Sequence, residues 1–187
     1  KDIIFWVSLF TVNRGKKMNF NRVVIKVGSA LVSPDNKGCS GKYIKAIARF
    51  ITQCHQENKD VILVSSGSVA AGRHLIQHGS PIPSIPTKQT MAAVGQMKMM
   101  ANWQRFLDVP CSQLLITHGD LKDRQRYINI KNTLRILLAN GIIPIVNEND
   151  TVATEELKVG DNDNLAALVA LISEADCLII LSDIDGV

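Results

Sequence analysis

Residues 23–29 read Val23-Val24-Ile25-Lys26-Val27-Gly28-Ser29, a β-branched run interrupted by one lysine and closed by two small residues. Four more runs share its character: Val61–Val64, Gln113–Thr117, Ile142–Val146 and Cys177–Leu181. Each is nearly continuous in Val, Ile or Leu, the pattern of strands buried on both faces. Between them lie stretches of helical length, Lys42–Glu57, Ser68–Gln77, Lys88–Phe106, Arg124–Asn140 and Asn162–Ser173. Strand and helix in alternation with short connections predict an α/β fold: a three-layer αβα sandwich around a mostly parallel central sheet.

Local punctuation agrees with these boundaries. Gly141 stands where a left-handed helix C-cap is expected, and Pro144 falls early in the next strand. Ser80–Pro86 is proline-rich but too short to link two domains, and reads as a surface loop. Cys177–Leu181 is followed only by Ser-Asp-Ile-Asp-Gly-Val, with no helix to cover it, so the fold is expected to be truncated at its C-terminal side. Residues 3–12 are apolar but about half the ~20 residues that span a bilayer. With Met18 just before the first strand, residues 1–17 read as an upstream or vector-derived extension and 18–187 as the folded part.

The 187 residues are 46% hydrophobic and 20% charged, which excludes disordered, collagenous and coiled-coil classes. The net charge of +4 lies wholly in residues 1–22, where five basic side chains face Asp2. Residues 23–147 carry fifteen basic and six acidic side chains; residues 148–187 set Lys158 against ten carboxylates. The body is neutral and has no basic stripe interleaved with aromatics, so nucleic-acid binding is not expected, nor is a membrane partner. Cys39, Cys54, Cys111 and Cys177 form no Cys-x-x-Cys pair, which excludes a zinc knuckle and suits a reducing, cytoplasmic setting.

In open α/β sheets, ligands bind beyond the carboxyl ends of the strands. Lys26 is costly to bury in an apolar strand unless an anion meets it, and with Gly28 and Ser29 it forms a candidate phosphate cradle. Gly67-Ser-Val-Ala-Ala-Gly72-Arg73-His74 has nearly Walker A spacing, but Arg-His replaces the required Lys-Ser/Thr, and Ser66 and Ser68 lack a nucleophile-elbow frame. What remains is a turn opening a helix whose N–H groups favour an anion. Asn147-Glu148-Asn149-Asp150 and Gly160-Asp161-Asn162-Asp163-Asn164 form two Asn/Asp clusters, more than helix capping requires. A calcium loop is excluded by Leu165 and Ala166. Amides and carboxylates together suit an ammonium group, hydroxyls or the orientation of lysines. His74 and His78 read as a solvated helix face, and Met91, Met97, Met99 and Met100 as fillers of core gaps. The dinucleotide fingerprint is absent.

Taken in order, Val24-Ile-Lys-Val-Gly-Ser29, Val64-Ser-Ser-Gly-Ser-Val-Ala-Ala-Gly72, Ala92-Ala-Val-Gly-Gln96, Asp123-Arg-Gln-Arg-Tyr127, Ile145-Val-Asn-Glu-Asn-Asp-Thr-Val152, Lys158-Val-Gly-Asp-Asn-Asp-Asn-Leu165 and Ser182-Asp-Ile-Asp-Gly186 carry a resemblance. The chain resembles the glutamate 5-kinases of the amino acid kinase superfamily from about Val23 onward. That resemblance implies the amino acid kinase fold and transfer of the γ-phosphoryl group of ATP to the side-chain carboxylate of L-glutamate, the first step of proline biosynthesis. It implies that Lys26 meets the nucleotide phosphates and Asp163 orients catalytic lysines. Ser66, Asp150 and Asn162 would bind glutamate, with Asn147 near them. Gly28 and Ser29 would cradle phosphate, Ser182 and Asp183 would open the nucleotide site, and Mg2+ would arrive bound to ATP. A carboxylate acceptor needs no general base, which suits a chain without an evident one. The family also implies a homo-oligomer and proline as feedback inhibitor. Its kinase domain carries a second lysine and a glycine-rich segment beyond this endpoint, and often a PUA domain, so the fragment alone is expected to be weakly active or inactive. A bifunctional pyrroline-5-carboxylate synthase and a non-catalytic glutamate- or proline-binding relic are the alternatives.

Overall fold

The computed structural model describes residues 20–77, 79, 82–152 and 162–182. The proposed extension 1–17, His78 and Asp183 lie outside them. Five parallel strands, β1 (Arg22–Val27), β2 (Asp60–Ser65), β3 (Cys111–Ile116), β4 (Ile143–Glu148) and β5 (Cys177–Leu181), form one sheet in the order β3-β4-β2-β1-β5. The helices are α1 (Ser29–Val32), α2 (Gly41–Gln56), α3 (Ser68–Gly72, continued as a 3-10 turn to Leu75), α4 (Ile85–Phe106), α5 (His118–Lys122), α6 (Arg124–Ala139) and α7 (Asn162–Ile172).

Side chains alternate across a strand, and two cores follow. Val23, Ile25, Val61, Leu63 and Ile145 meet Ile44, Ile47 and Ile51 of α2 and Met99 and Trp103 of α4 on the first face. Val24, Ile62, Val64 and Val146 meet Leu134 of α6 and Leu165, Val169 and Ile172 of α7 on the second. The chain therefore leaves β2 toward one face and the adjacent β4 toward the other. Such a reversal opens a crevice at the carboxyl ends of the two strands, where α/β sheets bind ligands.

The α/β sandwich and all five strands match the sequence expectation, with shifts of one or two residues at most ends. The burial of β3 and β5 does not. Both are edge strands, and Leu178 and Ile180 of β5 are exposed, because their continuous apolar runs reflect one packed face and one poorly covered face. Met97 is also exposed rather than a core filler: α4 turns Met91 and Met99 inward, and position 97 falls on the opposite side of the helix. Residues 118–122 form a short helix unmarked in the hydrophobic pattern. It rests on a capping box in which Thr117 Oγ1 accepts from Asp120 N and Asp120 Oδ2 accepts from Thr117 N. Helix α4 begins at Ile85 rather than Lys88, since proline is tolerated in a first turn and Ser84 caps it. Gly141 closes α6 with a positive φ, its N–H bonding Leu138 O while Ile142 N bonds Leu137 O. The four cysteines form no disulfide, and burial pushes the Cys54 thiol up to about 11.

Helix α3 crosses α4 backbone against backbone. A Cβ added at Gly95 would stand 1.8 Å from Ser68 O, and one added at Gly72 would stand 2.0 Å from Met91 O. No rotamer relieves a clash between main chains, so these glycines set the depth at which Ser68 sits. Gly95→Ala is expected to destabilise the chain by about 3 kcal/mol. Urea denaturation checks this, against a loss under 0.5 kcal/mol for Met97→Ala on the exposed side.

Candidate active site

Each candidate residue of the described set lies at the carboxyl edge of the sheet. Lys26 is the last but one residue of β1, Gly28 caps α1 and Ser29 opens it. Ser66 follows β2, Asn147 is in β4, Asp150 follows it, Asn162 and Asp163 open α7, and Ser182 follows β5.

Lys26 shares the face of Val24, under α7, and is 4% exposed. Its Nζ lies 2.6 Å from Asp163 Oδ1. Burying an ammonium costs several kcal/mol, while at an effective dielectric near 20 two unit charges about 4 Å apart attract by about 4 kcal/mol. The pair sets an opposite charge beside the buried lysine at the head of its strand, while the Asp163 side chain as a whole is 38% exposed.

A second group joins the two layers. Asn162 Nδ2 donates to Ser66 Oγ at 2.6 Å and to Asn147 Oδ1 at 3.0 Å. Asn147 Nδ2 donates to Gln96 Oε1 at 3.0 Å, and Gln96 Nε2 to Gln113 Oε1 at 3.1 Å. Beside them Ser68 Oγ donates to Asp150 Oδ2 at 2.6 Å. Ser65, directly below Ser66, accepts from the buried Trp103 indole at 2.9 Å, which ties this strand end to α4. A shallow depression lies between Ser68, Ala92, Gln96, Glu148, Asp150 and Thr151. His118 Nδ1 lies 3.5 Å from Glu148 Oε1 at its rim.

The geometry thus unites Ser66, Asn147 and Asn162 in one hydrogen-bonded cluster and pairs Lys26 with Asp163. The cradle read at Gly28 and Ser29 is altered in one respect. The Gly28 N–H already donates to Leu181 O at 3.0 Å, extending the sheet ladder, and Leu31 N–H donates to Gly28 O, so backbone donation to an anion falls on Ser29 and Ala30. Gln96 and Gln113 were not among the expected site residues. Gln96 interrupts the apolar stripe of Ala92, Met99 and Trp103 on α4, and a buried polar residue in such a stripe is a legible sign of a partner. Nothing local marks Gln113. Among the described residues no three His, Cys, Asp or Glu side chains converge as a metal site would require, and no helix is long and apolar enough to cross a membrane.

A model of the amino acid kinase family matches residues 21–187. The chain belongs to the amino acid kinase family. Among curated relatives, glutamate 5-kinase 1 of Pseudoalteromonas translucida is 55% identical over 170 residues, which is 91% of this chain and 46% of that protein. The glutamate 5-kinase of Salinibacter ruber is 56% identical over 170 residues, 90% of this chain and 45% of that protein. The chain spans about half the length of the curated relatives it matches. Among solved structures, the UMP kinase of Bacillus anthracis superposes with a TM-score of 0.57 at 12% identity, covering 90% of this chain and 67% of that one, a likeness of fold. In this member of the amino acid kinase family, cutting the ion pair is expected to have unequal consequences. Asp163→Ala leaves a buried ammonium without that counter-charge, whereas Lys26→Met, of similar volume, leaves a carboxylate that water reaches. Asp163→Ala should cost about 2 kcal/mol more in urea denaturation than Lys26→Met.

Proposed function

We propose that residues 18–187 form the larger part of a kinase domain that transfers the γ-phosphoryl group of ATP to the side-chain carboxylate of L-glutamate. The observation that carries this reading is the buried Lys26 paired with Asp163 at the same crevice edge as Ser66, Asn147, Asp150 and Asn162. The names of the curated relatives support the choice of glutamate.

In this reading the γ-phosphorus–oxygen bond to ADP breaks as the bond to the glutamate carboxylate oxygen forms. No proton is transferred, because the acceptor is ionised near neutral pH. Catalysis then consists of positioning and of neutralising charge on the transferring group. Lys26 supplies an ammonium to the phosphate oxygens, and Asp163 aims it. Asp150 receives the α-ammonium of glutamate and is held by Ser68; Ser66 and Asn162 meet its other polar groups. The residues fit a nucleotide phosphate: a Cβ added at Gly28 would reach no atom closer than 3.4 Å, at φ −67°, so the fold does not itself require glycine there. Close approach of an anion does. Ser29 and Ser182 complete this side, and Mg2+ would come with the phosphates and neutralise them.

A chimera in which this chain replaces the matching half of the Pseudoalteromonas translucida relative tests the assignment by glutamyl hydroxamate formation. Asp150→Ala should raise the glutamate KM at least tenfold with little change in the ATP KM. Gly28→Ala should do the reverse while leaving the melting temperature unchanged. Equal effects on both substrates in each variant would count against the roles of Asp150 and Gly28.

A further inference from the structure

The chain of side-chain amides that ends at Asn162 has a direction. Each amide donates through its nitrogen to the next and accepts through its oxygen from the one before: Asn162 to Asn147, Asn147 to Gln96, Gln96 to Gln113. A carboxamide has donors on one side and acceptors on the other, so turning a single member over would set like against like at its contacts. Asn147 is 1% and Gln96 8% exposed, which leaves little water to replace a lost partner. The two buried members, Asn147 and Gln96, therefore reverse together or not at all.

We propose that Gln96 and Gln113 are positioning residues for an amino-acid substrate: the sense of their amides, relayed through Asn147, decides whether the Ser66 hydroxyl donates or accepts toward the ligand. This rests on the reading of Ser66 and Asn162 as substrate-binding residues. In the observed sense both hydrogens of Asn162 Nδ2 are engaged, by Asn147 Oδ1 and by Ser66 Oγ. Ser66 Oγ accepts that hydrogen, so its own O–H serves as a donor, and the amide oxygen of Asn162 serves as an acceptor. A donor hydroxyl beside an acceptor carbonyl complements the carboxylate and ammonium of an α-amino acid. In the reversed sense Asn147 would donate to Asn162 Oδ1, Ser66 would donate to the same oxygen, and the serine would turn lone pairs toward the ligand carboxylate.

Gln113 is exposed on the edge strand β3, at the opposite end of the relay from Asn162, so it can be changed without altering a group assigned to the ligand. A glutamate there only accepts, which holds Gln96 Nε2 toward it and keeps the observed sense. A lysine only donates, which draws Gln96 Oε1 toward it and reverses the chain. Long-range charge acts in the other direction, since an added lysine attracts and an added glutamate repels an anionic amino acid.

The 187-residue chain carrying Gln113→Glu or Gln113→Lys gives two readouts. By NMR, the side-chain NH2 of Asn162 should exchange with solvent at least tenfold faster in Q113K than in Q113E, because reversal leaves its hydrogens facing the ligand site. By calorimetry, Q113E should bind L-glutamate at least tenfold more tightly than Q113K. The same exchange rate in both variants, or tighter binding by Q113K, would overturn the relay. A difference in exchange with no glutamate binding by any form, the parent chain included, would support the relay and overturn the substrate reading on which its role in recognition rests.

Discussion

An ammonium group in the body of a parallel sheet is the constraint around which this structure is arranged. Lys26 is nearly inaccessible to water, on a face otherwise made of valine, isoleucine and leucine. A charge there persists only beside an opposite charge, and the first turn of α7 brings Asp163 to it. For α7 to reach that point it must lie across β1, which it does by burying Leu165, Ala166, Val169 and Ile172 against the second face. The apolar stripe of the helix and the polar residues at its head are thus two parts of one placement. Burial supplies the free energy, and the ion pair selects which helix end meets which strand.

The first face is governed by contact rather than charge. Gly72 and Gly95 allow α3 and α4 to meet through their backbones, and this close crossing carries Ser68 to Asp150 and Gln96 to Asn147. The hydrogen bond from Asn147 to Gln96, together with those of Asn162 to Asn147 and Ser66, spans the sheet edge from one helical layer to the other. Helices that would otherwise communicate only through the sheet are joined by polar groups at the point where the chain switches faces. Buried amides of this kind cost stability unless every one finds a partner, and in this series each link is made.

Much of this was legible in the residues. The runs Val23–Val27 and Val61–Val64 are strands buried on both sides, and the lysine among the valines pointed to an anion at the strand end, where the structure sets Asp163 beside it. The two Asn/Asp clusters come into contact, with Asn147 from the first bonded to Asn162 from the second. Other features were hidden. The runs of β3 and β5 resemble those of central strands, because composition reports how apolar a strand is and not which neighbours flank it. Met97 and Met99 are alike as residues and opposite in burial, a difference set by helical phase. Gln96 was visible as an exception in an apolar stripe, whereas Gln113 acquires meaning only when the edge strand comes beside α4.

The sequence by itself determined the strand and helix alternation, the carboxyl-end location of the polar residues and the chemical kinds of group available there. These depend on local periodicity and on residue type, which a linear chain displays in full. Only the tertiary structure decided the strand order β3-β4-β2-β1-β5, the pairing of Lys26 with Asp163 and the direction of the amide series. Those depend on contacts between residues as much as 154 positions apart, as in the pairing of Val23 with Cys177, and the sense of an amide is set by its partners rather than by its own chemistry.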